Sequence, residues 1–211
     1  MKWSLFLCLV LAVLPAFGEQ RGASVASIAL YTQFQQDPPK AVMESLQDEL
    51  ESLMSPLGLH FEWRNLNASR GHEVAVELAV VTFKGRCDIT GLQLRGASSG
   101  ALGWTHVSDG VILPFSDVDC DRIRGFVQKE LLALHPEDRE EVYGRALGRV
   151  VAHELYHIFA NTARHGSCGV GKAAYTVQEL VAEDFQFEET ESLALRSSKA
   201  HTALESSPGT Q

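Results

Sequence analysis

Apolar residues recur along the first part of the chain with two periods, one typical of strands and one of a helix. Residues 24–34 are rich in apolar and β-branched side chains and predict a first strand. Residues 59–63 alternate apolar and polar, and residues 74–83 form a longer run of Val, Ala and Leu. The predicted order is therefore strand, helix, strand, strand, with the helix lying between residues 34 and 59.

That helix is predicted from apolar residues spaced by four, four, three and four positions. They are Val42, Leu46, Leu50, Leu53 and Leu57. Asp37 followed by two prolines favours a capped helix start, and Gly58 favours a helix end.

Glycines divide the next segment into two short predicted strands, residues 101–107 and 110–115. The first is polar and glycine-rich enough to be an edge strand, which offers unpaired backbone groups to an extended peptide. A helix is predicted over 122–134, preceded by aspartates that we interpret as turn and capping residues. Together these elements predict an α+β fold: a mixed sheet with an edge strand beside a cleft, packed on one helix and on a second helix that follows.

The second helix contains the strongest motif of the chain. It begins with acidic residues at 137–141, as the helix dipole favours, and is predicted to end at Asn161. Within it, His153, Glu154 and His157 form H-E-x-x-H. Histidines one helical turn apart can bind one Zn²⁺ at about 2.0–2.1 Å, and the intervening glutamate lies beside the metal's open position as a general base.

The apolar flanks of the motif favour a buried metal site over two unrelated surface histidines, because buried histidines without partners are costly. A third ligand must come from elsewhere. His165 follows the helix end by four residues, so a chain reversal at Asn161 brings it back over the motif face. Glu179, Glu183 and Cys168, or no third protein ligand, are the alternatives. Thr176 and Glu179 form a capping box, which gives that glutamate a structural role, so we favour His165.

Composition limits the domain count and the partners. The 211 residues are 45% hydrophobic and 21% charged, which suits one globular domain over residues 19–190. The formal charge of -9, without a basic run, argues against nucleic acid and against an anionic membrane surface as partners.

The two ends of the chain differ from the domain. Residues 1–18 have a basic Lys2, an apolar run and small residues before a cleavage point, and they predict a signal peptide. The mature protein is then expected to be secreted or periplasmic, with no membrane anchor. Its three cysteines, Cys87, Cys120 and Cys168, predict one disulfide and one free thiol, with the pairing open. Residues 191–211 are predicted to form a disordered tail.

The H-E-x-x-H motif with a downstream histidine resembles the zincin metallopeptidases. Over residues 24–187 the order of elements is similar to the metzincin branch. Metzincins have a glycine three residues after the second histidine and a third histidine three residues later, where this chain has Ala160 and Ala163. A turn two residues longer would therefore lead to His165. The family's methionine turn has no methionine here, and residues 169–171 are the predicted replacement.

The resemblance implies a bacterial-type secreted zinc metallopeptidase that acts on extended peptides or proteins. His153, His157 and His165 would bind Zn²⁺, and Glu154 would be the catalytic base. Tyr175 is a candidate second electrophile, against the alternative of a packing tyrosine. The other function that we consider is a catalytically silent zincin-fold protein that binds zinc and a peptide or protein partner.

Overall fold

The structure, a computed structural model, describes residues 28–69, 75–94 and 99–205. The predicted signal peptide therefore lies outside the described residues. The strands are β1 (Ile28–Phe34), β2 (Phe61–Asn65), β3 (Glu77–Lys84), β4 (Gly103–Ser108) and β5 (Val111–Asp119). The helices are α1 (Lys40–Met54), α2 (Cys120–Ala133), α3 (Arg139–Phe159), α4 (Val177–Val181), α5 (Glu189–Arg196) and α6 (Lys199–Glu205).

The five strands form one mixed sheet in the order β2-β1-β3-β5-β4. All neighbouring strands are parallel except β4, which runs antiparallel to β5 at the edge. The predicted mixed α+β architecture and the predicted edge strand are both confirmed.

The core lies between one face of this sheet and the helices α1 and α3. Alternate strand residues and the predicted apolar face of α1 are buried there: Ile28, Leu30, Val81, Phe83, Val118, Val42, Leu46, Leu50 and Leu53. The two helices approach closely because α3 carries Gly144 and Gly148 at the contact. A Cβ at Gly144 would lie 2.5 Å from the carbonyl oxygen of Val42, which leaves no room for a side chain.

A buried arginine also connects the helices. Arg149 on α3 is fully buried, and its Nε donates to Glu49 Oε1 on α1 at 2.6 Å. Its Nη1 donates to the backbone oxygen of Glu179 on α4 at 2.6 Å. The guanidinium thereby joins three helices around the N-terminal side of the motif.

The start of α1 differs from the prediction. Asp37 does not cap the helix, because Pro39 occupies the N-cap position and no side chain makes a cap hydrogen bond. By contrast, Asp119 caps α2 by accepting from the Arg122 backbone N–H at 2.8 Å, as predicted for these aspartates. Gly58 ends the segment after α1 with φ +78°, a conformation that glycine adopts without strain.

The prediction of a disordered tail over 191–211 is wrong for the residues that the structure describes. Glu189–Arg196 and Lys199–Glu205 are helical, and Leu195 and Ala200 are buried against the core. The domain therefore extends beyond its predicted end at residue 190. Residues 206–211 lie outside the described part.

The disulfide joins Cys87, after β3, to Cys120 at the start of α2, and leaves Cys168 as an exposed thiol. This settles the pairing that the sequence left open. In the described part of the chain, the helices are all too short or too polar to cross a membrane.

Candidate metal centre

The motif residues of α3 face the space between the helix and the edge strand. His153, Glu154 and His157 are only 8%, 3% and 7% exposed. The Nε2 atoms of the two histidines lie 3.1 Å apart. Helical spacing therefore brings both imidazoles to one point, as predicted.

Each imidazole is oriented by a backbone carbonyl. His153 Nδ1 lies 2.8 Å from the oxygen of Val170, and His157 Nδ1 lies 2.7 Å from the oxygen of Thr162. Because a carbonyl oxygen only accepts, both Nδ1 atoms carry hydrogen and donate. The neutral rings then present their Nε2 lone pairs to each other, which is how metal-binding histidines are commonly oriented.

Burial favours these neutral rings. Desolvation lowers the pKa of His153 to about 4 and also lowers the pKa of His157. Two lone pairs directed at each other across 3.1 Å repel unless a cation lies between them. Two nitrogens bound tetrahedrally at about 2.05 Å would be separated by about 3.3 Å, so this pair fits a metal ion.

His165 reaches the same point from the loop after α3. Asn161 adopts the left-handed conformation with φ +47° and reverses the chain. The His165 ring centroid lies 5.2 Å from that of His153 and 4.8 Å from that of His157. One potential ligand atom from each histidine lies within 4.8 Å of the others. The predicted convergence is found, and metal binding itself stays a prediction.

Among the described residues, the alternative third ligands Glu179, Glu183 and Cys168 are not part of a metal-binding cluster, and the side chains of Glu179 and Cys168 make other contacts. Glu179 forms the predicted capping box with Thr176 and accepts from Lys172 Nζ at 2.5 Å. That hydrogen bond is the main cause of the lowering of the Glu179 pKa to about 2. The thiol of Cys168 donates to Glu188.

Glu154 is held against the edge strand. Its Oε2 accepts a hydrogen bond from Thr105 Oγ1 at 2.8 Å, and that hydroxyl lies 2.9 Å from Ser116 Oγ on β5. A Cβ at Gly103 would lie 2.8 Å from Glu154 Oε1, so glycine allows the strand to approach the carboxylate. Burial raises the pKa of Glu154 to about 7, a value suited to accepting and returning a proton near neutral pH.

A cleft of about 740 Å³ contains the three histidines and Glu154. The edge strand β4 lines one side of it, as predicted, and the loop from Thr162 to Tyr175 lines the other. Its apolar lining includes Leu102, Val107, Ile112, Phe126 and Val150. The cleft therefore combines a buried carboxylate and three imidazoles with an apolar wall and strand backbone.

Tyr175 packs against His153 and lines the cleft. Its hydroxyl donates to the carbonyl oxygen of Val170, and its ring centroid lies 5.6 Å from that of His153. The hydroxyl thus shares the acceptor that orients His153, which supports the packing role for Tyr175 over that of an electrophile. Val170 belongs to the segment 169–171, the predicted replacement for the methionine turn, and this segment does lie against His153.

Sequence reasoning missed Thr105, Ser116 and the Val170 carbonyl as parts of the site. Strand alternation places Gly103 and Thr105 on the same face of the predicted edge strand, which was the one available signal. Which helix residue they would meet depends on how the sheet packs on α3.

A comparison of the chain with protein-family models, with curated proteins and with solved structures found no match.

Proposed function

We propose that the chain is an exported zinc-dependent metallopeptidase of the zincin type. His153, His157 and His165 would hold Zn²⁺, and Glu154 would act as the general base. The observation that carries this proposal is the pair of buried, neutral imidazoles whose Nε2 atoms meet 3.1 Å apart, with a third histidine beside them.

Zinc fits this donor set well. Neutral imidazoles suit Zn²⁺, and three protein ligands with a fourth position open are typical of catalytic zinc sites. The three histidines and Glu154 line the same cleft, so a metal held by the histidines would be within reach of a substrate bound there. The Cys87–Cys120 disulfide supports export, since disulfides persist in oxidising compartments.

A bound Zn²⁺ would supply Lewis acidity, which lowers the pKa of water and polarises a carbonyl. The chain's own residues would do the rest. Glu154 accepts a proton from the water that attacks the peptide carbonyl carbon, and it returns that proton to the amide nitrogen as the C–N bond breaks. The Thr105 hydroxyl holds the carboxylate in place. An extended peptide would pair with the outer edge of β4, the edge strand of the described sheet, which aligns its backbone along the cleft.

The test is Glu154→Gln in the purified mature chain. We expect about one zinc per molecule in both wild type and variant, cleavage of a mixed peptide library by the wild type, and no cleavage by the variant. Glu141→Gln, an exposed change of the same kind on α3, is the matched control and should cleave normally. Wild-type protein with well under one zinc per molecule would refute the proposal.

The competing proposal is a catalytically silent zinc-binding protein that holds a partner. It is favoured by exposed apolar side chains on the outer face of the sheet: Leu78, Trp104 and Phe115 are 41%, 38% and 46% exposed. If the wild type binds zinc but cleaves nothing in the library, this second function replaces the first.

A further inference from the structure

A buried carboxylate lies beneath the loop that follows His165. Glu191 on α5 is 2% exposed. Its Oε2 accepts from the backbone N–H of Glu188 at 3.0 Å and from that of Gly171 at 3.3 Å. Its Oε1 is the one buried side-chain polar atom in the described part of the chain that has no hydrogen-bond partner.

The loop closes around this carboxylate through two glycines. A Cβ at either Gly166 or Gly171 would collide with Glu191 Oε1. Neither glycine has a positive φ, so it is the space beside the carboxylate that excludes a side chain. The Gly166 N–H donates to the Gly171 carbonyl at 2.9 Å, which joins the two ends of the loop over the carboxylate.

The same loop carries two parts of the metal centre. Gly166 directly follows His165 in the chain. Gly171 directly follows Val170, whose carbonyl accepts from His153 Nδ1 at 2.8 Å. A shift of the loop away from α5 would therefore move one imidazole and release the orienting contact of another.

Glu191 forms a capping box with Glu188 at the start of α5, which gives its Oε2 a structural role. The capping box leaves Oε1 without a partner, and an unpaired buried oxygen costs stability. We propose that Glu191 is a positioning residue of the metal centre. It fixes the 166–172 loop against α5. The loop in turn keeps His165 beside His153 and keeps the Val170 carbonyl within hydrogen-bond distance of His153 Nδ1. This inference rests on the proposed metal site, and it makes helix α5 part of that site.

The experiment measures Zn²⁺ affinity by competition with a chelator, the visible spectrum of bound Co²⁺, and the unfolding of the metal-free protein. Glu191→Ala should weaken Zn²⁺ binding about tenfold or more, as loss of outer contacts to metal ligands usually does, and should change the Co²⁺ spectrum at saturating metal. Glu191→Gln keeps an acceptor for Gly171 and should restore affinity to within about threefold of wild type. Glu189→Ala, an exposed change on the same helix, should alter neither the Zn²⁺ affinity nor the Co²⁺ spectrum.

Gly171→Ala tests the contact from the loop side and serves if Glu191→Ala fails to fold. It should displace the carboxylate and weaken Zn²⁺ binding, and it should cost much less in the Glu191→Ala background. Folded variants at either position with wild-type Zn²⁺ affinity and an unchanged Co²⁺ spectrum would overturn this inference alone. A wild-type chain that binds neither metal would overturn the proposed function together with it.

Discussion

Thr105 on the edge strand and Glu154 on the motif helix are joined by a side-chain hydrogen bond of 2.8 Å across 49 residues of sequence. The Thr105 hydroxyl also lies 2.9 Å from Ser116 Oγ, so Ser116 donates to it whenever it donates to the carboxylate. When Glu154 has taken up a proton, the two hydroxyls can rotate so that Thr105 accepts. The pair can therefore hold Glu154 in both of its charge states.

Thr105→Val, which keeps the side-chain shape and removes the hydroxyl, should reduce kcat/KM about 10- to 100-fold. That corresponds to the roughly 1.5–3 kcal/mol of a hydrogen bond to a charged group. Thr105→Ser retains the hydroxyl and should keep most of the activity. Zinc content should be unchanged in both variants, and equal kcat/KM for Val and Ser would show that the hydroxyl does not position the base.

The parts of the site that follow from local sequence could be predicted. The four-residue spacing of His153 and His157 fixes their common face on any helix. The reversal at Asn161 brought His165 within reach, because only a short connection separates it from the motif helix.

The contacts that hold these residues depend on distant packing. Thr105 meets Glu154 only because β4 is the edge strand and lies over α3, and Val170 meets His153 only through the path of a long loop. The tail prediction failed for a related reason. Most of residues 191–205 are polar, which suggested a disordered segment. Leu195 and Ala200 nevertheless lie on helical faces that are buried against the core.

His165→Ala should lose zinc about as completely as His153→Ala, because a site of two histidines forfeits much of its binding free energy. Glu179→Ala should retain zinc and lose about 1 kcal/mol of stability with its capping box. Metal analysis after dialysis against a weak chelator distinguishes these results. If zinc were lost with Glu179→Ala and kept with His165→Ala, Glu179 and not His165 would be the third ligand.

Glu154→Gln should stabilise the metal-free protein at pH 8 by about 3 kcal/mol at most. The pKa of Glu154 is about 7 in the fold and near 4.5 when unfolded, so the folded state binds more protons between these values. The wild-type carboxylate thus destabilises the fold increasingly as pH rises from 4.5 to 7. The stabilisation by Gln should shrink as pH falls through that window and vanish near pH 4. Urea titrations measure the stability difference between wild type and Glu154→Gln. If that difference did not change with pH, the pKa of Glu154 would not be raised in the fold.

The ionisation of His153 changes stability with pH in the opposite direction. Its pKa is lowered from about 6.5 to about 4 on folding, so the unfolded state binds more protons in that range and stability falls as pH drops from 6.5 to 4. In the Glu154→Gln background this loss should appear without the opposing glutamate effect. Adding His153→Gln should make stability fall less steeply over this range, as measured by unfolding of the metal-free protein. The remaining fall is expected from His157, whose pKa is also lowered by burial.

The Cys87–Cys120 disulfide closes a loop of 33 residues that includes both β4 and β5. Replacing both cysteines with alanine should cost about 3 kcal/mol, chiefly because the unfolded chain gains entropy. Cys168→Ala, which removes an exposed thiol, should leave the free energy of unfolding nearly unchanged. Equal midpoints of urea unfolding for the double variant and the wild type under oxidising conditions would show that the disulfide does not form.

Arg149→Met should destabilise the protein by about 3–5 kcal/mol, because it leaves the Glu49 carboxylate and the Glu179 carbonyl without their buried partner. Arg145→Met, one turn earlier on α3, is the control. Arg145 pairs with the exposed Glu141 and also donates to the backbone oxygens of Val181 and Ala182, both at 3.4 Å. Because these contacts are long and the ion pair is partly exposed, its loss should cost only about 1–2 kcal/mol. Adding Glu49→Leu to Arg149→Met should recover part of the loss by removing the uncompensated charge. Since Arg149 does not line the cleft, the folded fraction of each variant should keep its zinc. Urea unfolding gives the stabilities, and an Arg149→Met loss no larger than that of Arg145→Met would show that the buried guanidinium does not hold the three helices together.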